Sequence, residues 1–432
     1  MRLRFGTYPG VEGEPFDAPE GAAILAPRAG PPNDEPALLR DAIEGRLAPL
    51  AEGKRRVLLL VDDATRRTRV HEILPHVERE LAQAGVRDEQ VTILTAQGTH
   101  RPMTREELEA KIGPAFLRRW RVEQHRHRDR EALVRLGETE DGMPVVVNRL
   151  LPESDLRVGV GHVGVHAIMG FSGGAKIVLP GVCGEESETW THWTASWFAQ
   201  EDLLGVMDGP IRAHVEEGAR LAGLDAVVNV AMDHAGQVQR AACGDFVEAQ
   251  RACAATARDW HAARLDEPAD IVISDSFPAD RDYWQSVKGL CCATIAVEEG
   301  GVIVLVTPSP EGVADNHPGC RDLCGLPLEE IRRRVAAGEV EDVIGAAVAA
   351  FTARIRERSD VHLVSSGIRP EDARAMGFTP FASIQDALDA AREKMGAHAS
   401  VAVLQGAGGL LPVVGGRNER VLPEREAGRR HA

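Results

Sequence analysis

The chain has 432 residues, 44% of them hydrophobic, and carries 66 acidic against 50 basic side chains for a formal net charge of -16. That length buries a large core and predicts two domains at roughly 100–200 residues each, while the acidic balance argues against a nucleic acid or an anionic membrane surface as partner. Seven cysteines (Cys183, Cys243, Cys253, Cys291, Cys292, Cys320 and Cys324) contain no CxxC pair, so neither a disulfide framework nor a thiolate zinc site is expected.

The first residues, MRLRFGTYPGVEGEPFDAPEG, hold no apolar export segment, and no stretch approaches the roughly 18 apolar residues of a membrane helix. A cytoplasmic protein without a membrane partner is predicted. Short β-branched runs then recur at 57–63, 91–96, 156–161, 226–232, 269–276, 300–308, 361–367 and 400–406. Their apolar stretches are continuous, which suits strands of parallel sheets covered on both faces. Amphipathic segments at 70–84, 105–121, 246–264, 327–357 and 384–397 alternate with them. The pattern predicts an α/β fold of two domains with doubly wound, mostly parallel sheets and an active-site cleft between the domains. The expected division is an N-terminal domain over 1–263 and a C-terminal α/β domain over 264–398. Residues 399–432 read as a C-terminal strand and tail for which a return to the first domain is one option, with frayed, charged residues from about 417.

In open α/β sheets, ligands bind beyond the carboxyl ends of strands, and four such places carry chemistry. After the first run, Asp62 and Asp63 precede Arg66, Arg67 and Arg69. This is either an anion-binding turn in which guanidinium grips a carboxylate, or a capped helix start with solvated arginines, and the residues alone leave both open. After the second run, Gly98 and Pro102 shape a tight turn around His100, a titratable ring at a strand edge or merely a surface histidine.

The third place carries the most chemistry, because His166, Lys176 and His192 are threaded through a glycine-rich segment with few charges. The backbone around Ser172, Gly173 and Gly174 can approach an anion or nucleotide, with Lys176 just after it. A phosphate-binding P-loop is rejected, because Ala175 and Ile177 flank the lysine where that motif needs Gly and Ser or Thr. The rings could equally be metal ligands or bases, and His162 is read as structural. At the fourth place Gln285 and Lys288 lie three apart, on one side of a helix, suited to holding a carboxylate or simply solvated. His125 and His127 read as a solvated stretch, and His317, Cys320 and Cys324 as a plain loop.

With DDATR, GTHRP, HAIMGFSGGAKIVLPG, the histidine at 192 and QSVKG in this order, the chain resembles the nickel-dependent lactate racemase family over most of its length. The resemblance implies a nickel-pincer nucleotide (nickel pyridinium-3,5-bisthiocarboxylic acid mononucleotide) tethered to Lys176, with His192 as the protein ligand to Ni. It implies that Ser172, Gly173, Gly174 and Asp63 surround the cofactor, and that His100 and His166 are the paired acid-base residues. Arg66, Gln285 and Lys288 then bind the substrate. Two departures bear on substrate choice: Arg69 stands where proline is common, suggesting recognition of a second acidic group, and Trp284 stands where tyrosine is common.

The implied activity is a racemase or epimerase, an isomerase inverting C2 of a 2-hydroxy acid by proton-coupled hydride transfer through a 2-keto acid. Cofactor-biosynthesis proteins and a small 2-hydroxy acid substrate are the implied partners, and a homo-oligomer is one option that the sequence leaves open. The competing readings are a non-catalytic protein that binds a nickel cofactor or an anionic metabolite, and a zinc- or magnesium-dependent hydrolase.

Overall fold

The computed structural model describes residues 1–6 and 11–418. Two six-stranded sheets organise it. The first runs in the order Val238–Gly244, Ala226–Met232, Leu156–His162, Val57–Asp62, Val91–Ala96, Arg121–Gln124. All its pairings are parallel except that of Val238–Gly244 with Ala226–Met232. The second, entirely parallel, runs Thr379–Phe381, Asp360–Ser365, Val297–Thr307, Ala269–Asp275, Val401–Leu404, Ala23–Leu25.

Each sheet is buried on both faces because successive side chains alternate between them. In the first, Leu59 and Val61 pack with Val70, Ile73, Leu74 and Val77 of helix Val70–Gln83, while Leu58 and Leu60 face a separate core with Val178, Leu179 and Val215. In the second, Ile303 and Leu305 pack with helices Tyr283–Ala296 and Val343–Arg358, and Val302 and Val304 face Ile384 and Leu388. Truncating one such fully buried leucine to alanine costs about 2–5 kcal/mol.

All eight runs read as strands are strands, and the long helical segments form with two breaks. Gly113, at φ 88°, and Pro114 divide 105–121 into Arg105–Ile112 and Pro114–Arg119. The stretch 327–357 likewise divides into Leu328–Ala336 and Val343–Arg358.

The expected division needs two corrections. Residues 399–414 do not return to the first sheet: the wholly apolar Val401–Leu404 lies inside the second, between Ala269–Asp275 and Ala23–Leu25, and Leu411–Val414 pairs with Ala262–Leu265. Residues 1–6 and 11–25 belong there too, since Leu3, Phe5 and Phe16 share a core with Ile271 and Ile273. Of the tail read as frayed, Arg417 donates to the carbonyls of Ile295 and Val297, Asn418 is buried, and residues 419–432 lie outside the described residues.

The two halves are joined where the site forms. Phe351 of helix Val343–Arg358 reaches into the core of the first half, and Arg354 of the same helix donates to the carbonyls of Ser196 and Phe198, just beyond helix Glu185–Ala195. No helix among the described residues is long and apolar enough to cross a membrane.

Candidate active site

Three loops at the carboxyl ends of Val57–Asp62, Val91–Ala96 and Leu156–His162 meet helices Glu185–Ala195 and Tyr283–Ala296 around a cavity of about 1030 Å³ including its open mouth. Asp63, Arg66, His100, His166, Lys176, His192, Trp284, Gln285 and Lys288, drawn from all four places singled out in the sequence, line it together.

The first loop is fixed from beneath. Lys111, buried on helix Arg105–Ile112, donates to Asp62 Oδ1 (2.9 Å) and to the carbonyls of Arg66 (2.8 Å) and Thr68 (3.1 Å). Asp63 then accepts from Thr65 Oγ1 (2.5 Å) and lies 2.8 Å from His100 Nδ1. Although burial opposes ionisation, His100 and Arg66 hold the Asp63 carboxyl below the usual carboxylate range. A carboxylate only accepts, so His100 donates from Nδ1 and keeps its lone pair at Nε2. That lone pair accepts from Gln285 Nε2 at 3.0 Å, and Gln285 Oε1 in turn accepts from Lys288 Nζ at 2.5 Å. Burial, partly opposed by Asp63, lowers the His100 pKa and keeps the ring neutral.

His166 has the opposite wiring. Its ring sits in the two-residue pairing of Val165–His166 with Gly170–Phe171, where Nδ1 accepts from the backbone N–H groups of Ile168 (3.2 Å) and Met169 (3.3 Å). The remaining proton therefore sits on Nε2. Burial and the cations Lys176, Lys288 and Arg66 press its pKa well below the ordinary histidine value.

Lys176 follows Gly173 and Gly174, whose φ values of 75° and 59° require glycine. This loop is clamped by a side chain that sequence reasoning missed: Arg212, buried, donates to the carbonyls of Met169 (3.0 Å), Phe171 and Gly173 (3.4 Å). The loop's polar groups are used within the protein. Gly174 N–H donates to Asn229 Oδ1 (2.9 Å) and Ser172 Oγ accepts from Gly164 N–H (2.9 Å). Ser172 and Gly173 do line the cavity, whereas Gly174 does not, so the expected backbone contact from Gly174 is corrected: its donor is already taken. Burial and the nearby Arg66 lower the Lys176 pKa to about 7, leaving a large fraction as free amine at neutral pH.

His192 lies in the last turn of helix Glu185–Ala195, where Nδ1 donates to the Glu188 carbonyl at 3.0 Å. This fixes the tautomer and leaves Nε2 as a lone pair, the arrangement common among metal-binding histidines. Burial holds its pKa down at about 3, so the ring stays neutral. Among the described residues no cluster of three or more His, Cys, Asp or Glu is placed to hold a metal. The residues present fit a metal that brings most of its own ligands: the neutral imidazole of His192, with a free Nε2, and the deprotonatable amine of Lys176 line one cavity.

Three further expectations change. Arg69 does not line the cavity; it is ion-paired with Glu35 and with Glu72 (3.1 Å), because it precedes helix Val70–Gln83 on the outer side. His125 is not solvated: it is buried, with Nε2 donating to the Cys183 carbonyl at 2.8 Å and burial lowering its pKa to about 4. His317 is not part of a plain loop either. It stacks on Trp284 (4.1 Å between centroids) and bonds Thr99 Oγ1 (2.9 Å) and Asp342 (3.2 Å), while Trp284 on its other flank meets His192 (5.7 Å).

Glu188 was also missed. It is buried in the cavity wall and accepts from Thr99 Oγ1 (3.2 Å), and burial raises its pKa to about 8. Its spacing of four from His192 on one helix was the signal that could have found it.

Two family models match, the lactate racemase N-terminal domain over residues 18–202 and the lactate racemase C-terminal domain over 265–411. The chain belongs to the lactate racemase family. It is 27% identical over 367 residues to a lactate racemase of Lactiplantibacillus plantarum, covering 83% of this chain and 85% of that one. It is 28% identical over 396 residues to a lactate racemase of Thermoanaerobacterium thermosaccharolyticum, covering 86% and 90%. The solved lactate racemase apoprotein of the latter organism superposes with a TM-score of 0.84 at 25% identity, over 95% of this chain and 99% of that one. A crystal structure of a Thermotoga maritima protein shares the fold, at a TM-score of 0.72 and 22% identity over 89% and 99%. The chain is thus an enzyme of the racemase class, and its two-domain α/β architecture is that of its relatives.

Proposed function

We propose that the chain inverts C2 of a 2-hydroxy acid, with a nickel-pincer nucleotide tethered to Lys176 and coordinated by His192. The observation that carries this reading is the complementary wiring of His100 and His166 around the cavity that Lys176 and His192 also line. A binding or storage protein needs no such pair, and a metal hydrolase needs more than one protein ligand. When bound, the nickel nucleotide supplies acceptance and return of a hydride at C2, which no side chain provides.

The chain's own residues do the rest. Arg66, Gln285 and Lys288 hold the substrate carboxylate. Burial, with Arg66 and Lys176 nearby, presses the Lys288 pKa well below its ordinary value; an incoming carboxylate relieves this crowding and restores the ammonium. His100, with a lone pair at Nε2 and its cationic form stabilised by Asp63, takes the hydroxyl proton as Gln285 moves over to the carboxylate. His166, with its proton at Nε2, donates a hydrogen bond to the same oxygen, and the proton held on His100 returns to that oxygen as C2 is restored with the opposite hand. Holding the carboxylate while C2 is planar keeps the keto acid in place for its second face. Trp284 and the closely packed helices exclude water from this chemistry.

Protein produced together with the cofactor-biosynthesis proteins is expected to carry a covalent mass adduct, lost in Lys176→Ala, and to racemise a 2-hydroxy acid in a chiral assay. Full activity without an adduct would overturn the reading; an adduct without turnover would favour the binding protein.

A further inference from the structure

A second cavity of about 780 Å³, open mouth included, lies beside the active-site cavity. Arg66, His162, His166, Ser172 and Lys288 line both. Lys176 and His192 line only the first, whereas Arg67, His234, His261 and Phe277 line only the second. If the shared residues surround the substrate, as in the reading above on which this inference rests, the second cavity opens on the side lined by neither tether nor metal ligand. We propose that it receives the substituent on C2 and selects 2-hydroxy acids that end in a second carboxylate, with Arg67 as the anchor.

Charge supports an anionic end group. The one acidic side chain in this lining is Asp233, and both of its oxygens are occupied: Oδ1 by Gln237 N–H (2.9 Å), Oδ2 by Gly30 N–H (2.7 Å) and Gln239 Nε2 (3.2 Å). Against it stand Arg66 and Arg67, so a ligand here meets net positive charge. Arg67 makes no ion pair among the described residues. It donates once, to the His234 carbonyl at 2.9 Å, and its guanidinium lies 5.6 Å from the centroid of the Phe277 ring. Those two contacts orient the planar group while leaving further N–H donors for a carboxylate, the geometry that makes arginine suited to bidentate recognition.

Shape and polarity agree. Pro27, Phe277, Pro278 and Ala279 supply apolar wall for methylene groups, and the volume far exceeds what the methyl group of lactate fills. His261, in the lining, has a buried Nδ1 without a hydrogen-bond partner. Such groups are costly unless a polar ligand or water meets them. The arginine that the sequence offered for a second acidic group was Arg69; the fold turns that one outward and brings its neighbour Arg67 to the cavity.

The test compares kcat/KM of the cofactor-loaded protein for lactate, malate, 2-hydroxyglutarate and gluconate, in the wild type and in Arg67→Ala, Arg67→Lys and Gly409→Val. Gly409 has ordinary backbone geometry, and a Cβ there meets His261 Nδ1 at 3.9 Å and nothing closer than 3.8 Å, so a valine intrudes on this cavity without displacing backbone. We expect the wild type to prefer a dicarboxylate over lactate. Arg67→Ala lowers the dicarboxylate-to-lactate ratio about tenfold or more, as loss of a charge-assisted contact implies; Arg67→Lys restores part of it. Gly409→Val lowers the ratio as well, and the tethered mass is the same in all four proteins.

An unchanged ratio in Arg67→Ala overturns the inference, as does a preference for gluconate over both dicarboxylates. Loss of the tethered mass in Gly409→Val also overturns it, by assigning the cavity to the nucleotide. If the loaded protein racemises none of the four acids, the racemase reading fails and calorimetry decides the subsite separately. Binding of 2-hydroxyglutarate to cofactor-free protein that weakens tenfold in Arg67→Ala upholds it; binding indifferent to Arg67 overturns it.

Discussion

The loop that carries His100 and the hairpin that carries His166 present the same side chain to one cavity in opposite states. His100 is backed by a carboxylate, so its inner nitrogen donates and its outer nitrogen is a lone pair; His166 is backed by two backbone N–H groups, so its inner nitrogen accepts and its outer one carries the proton. The difference teaches that identical residues are made unlike by what stands behind them. A carboxylate stabilises an imidazolium, whereas backbone amides resist it, so His100 is the ring ready to receive a proton and His166 the ring that stays neutral and donates a hydrogen bond.

The sharpest way to break this comparison is to remove the carboxylate. Asp63→Asn is expected to lower racemisation by about 10²–10⁴, the range seen when an orienting carboxylate or an acid-base partner is lost. The His100 pKa is lowered chiefly by burial and raised by Asp63. Without Asp63 it falls further, and the acidic limb of the kcat/KM profile moves to lower pH. An unmoved limb would show that His100 is not the base. Gln285→Leu, which removes the link between His100 and Lys288, should cost about 10- to 100-fold, the smaller loss expected of a group that positions without transferring protons.

The state of Lys288 can be read without turnover. Its pKa is depressed in the free protein by burial and by Arg66 and Lys176, so a 2-hydroxy or 2-keto carboxylate that pairs with it must raise that pKa. Titrations near pH 8 in buffers of different ionisation enthalpy should report proton uptake on binding, and none in Lys288→Met.

On the tether side of the cavity the expected effect is one of stability. Burial raises the Glu188 pKa from the 4.5 of a free glutamate to about 8. The folded state thus favours the neutral acid, a contribution fully present below pH 4.5 and lost as pH rises through 8. Glu188→Gln in cofactor-free protein should therefore raise Tm by a few degrees at pH 9, and the gain should vanish towards pH 4.5. The smallest effect is expected at Arg69. Its pairs with Glu35 and Glu72 lie at a partly exposed helix start, so Arg69→Ala should change stability by less than about 1 kcal/mol. It should also leave the dicarboxylate-to-lactate ratio as it was.

What the sequence disclosed and what it hid divide along the range of the forces involved. The central strands were legible because burial on both faces demands unbroken apolar runs such as VLLLV and VAVL. The edge strand Val238–Gly244 was not, since its residues are mostly half-buried and VQRAACG has no apolar run. The lining residues were legible where a turn or helix set them at a strand end or at helical spacing, as for His100, Gln285 and Lys288. Arg212, Lys111 and His317 were not. Each acts on a segment far away in the chain, Arg212 on the loop 169–173 and His317 on Thr99, and nothing in their own neighbourhoods records those partners. The same blindness exchanged Arg69 for Arg67, because one residue of helical rotation or loop path decides which arginine faces in.

The pairing of Ala23–Leu25 with Val401–Leu404 also sets an order of events on the ribosome. The first sheet is built from a continuous stretch of chain between these strands, and it can be completed while the second is still being synthesised. The strand Ala23–Leu25, made before the first sheet, must wait until residues 401–404 emerge before its partner exists. The second sheet is therefore completed last, when Val401–Leu404 inserts between Ala269–Asp275 and Ala23–Leu25 after the loops of the first sheet have already formed.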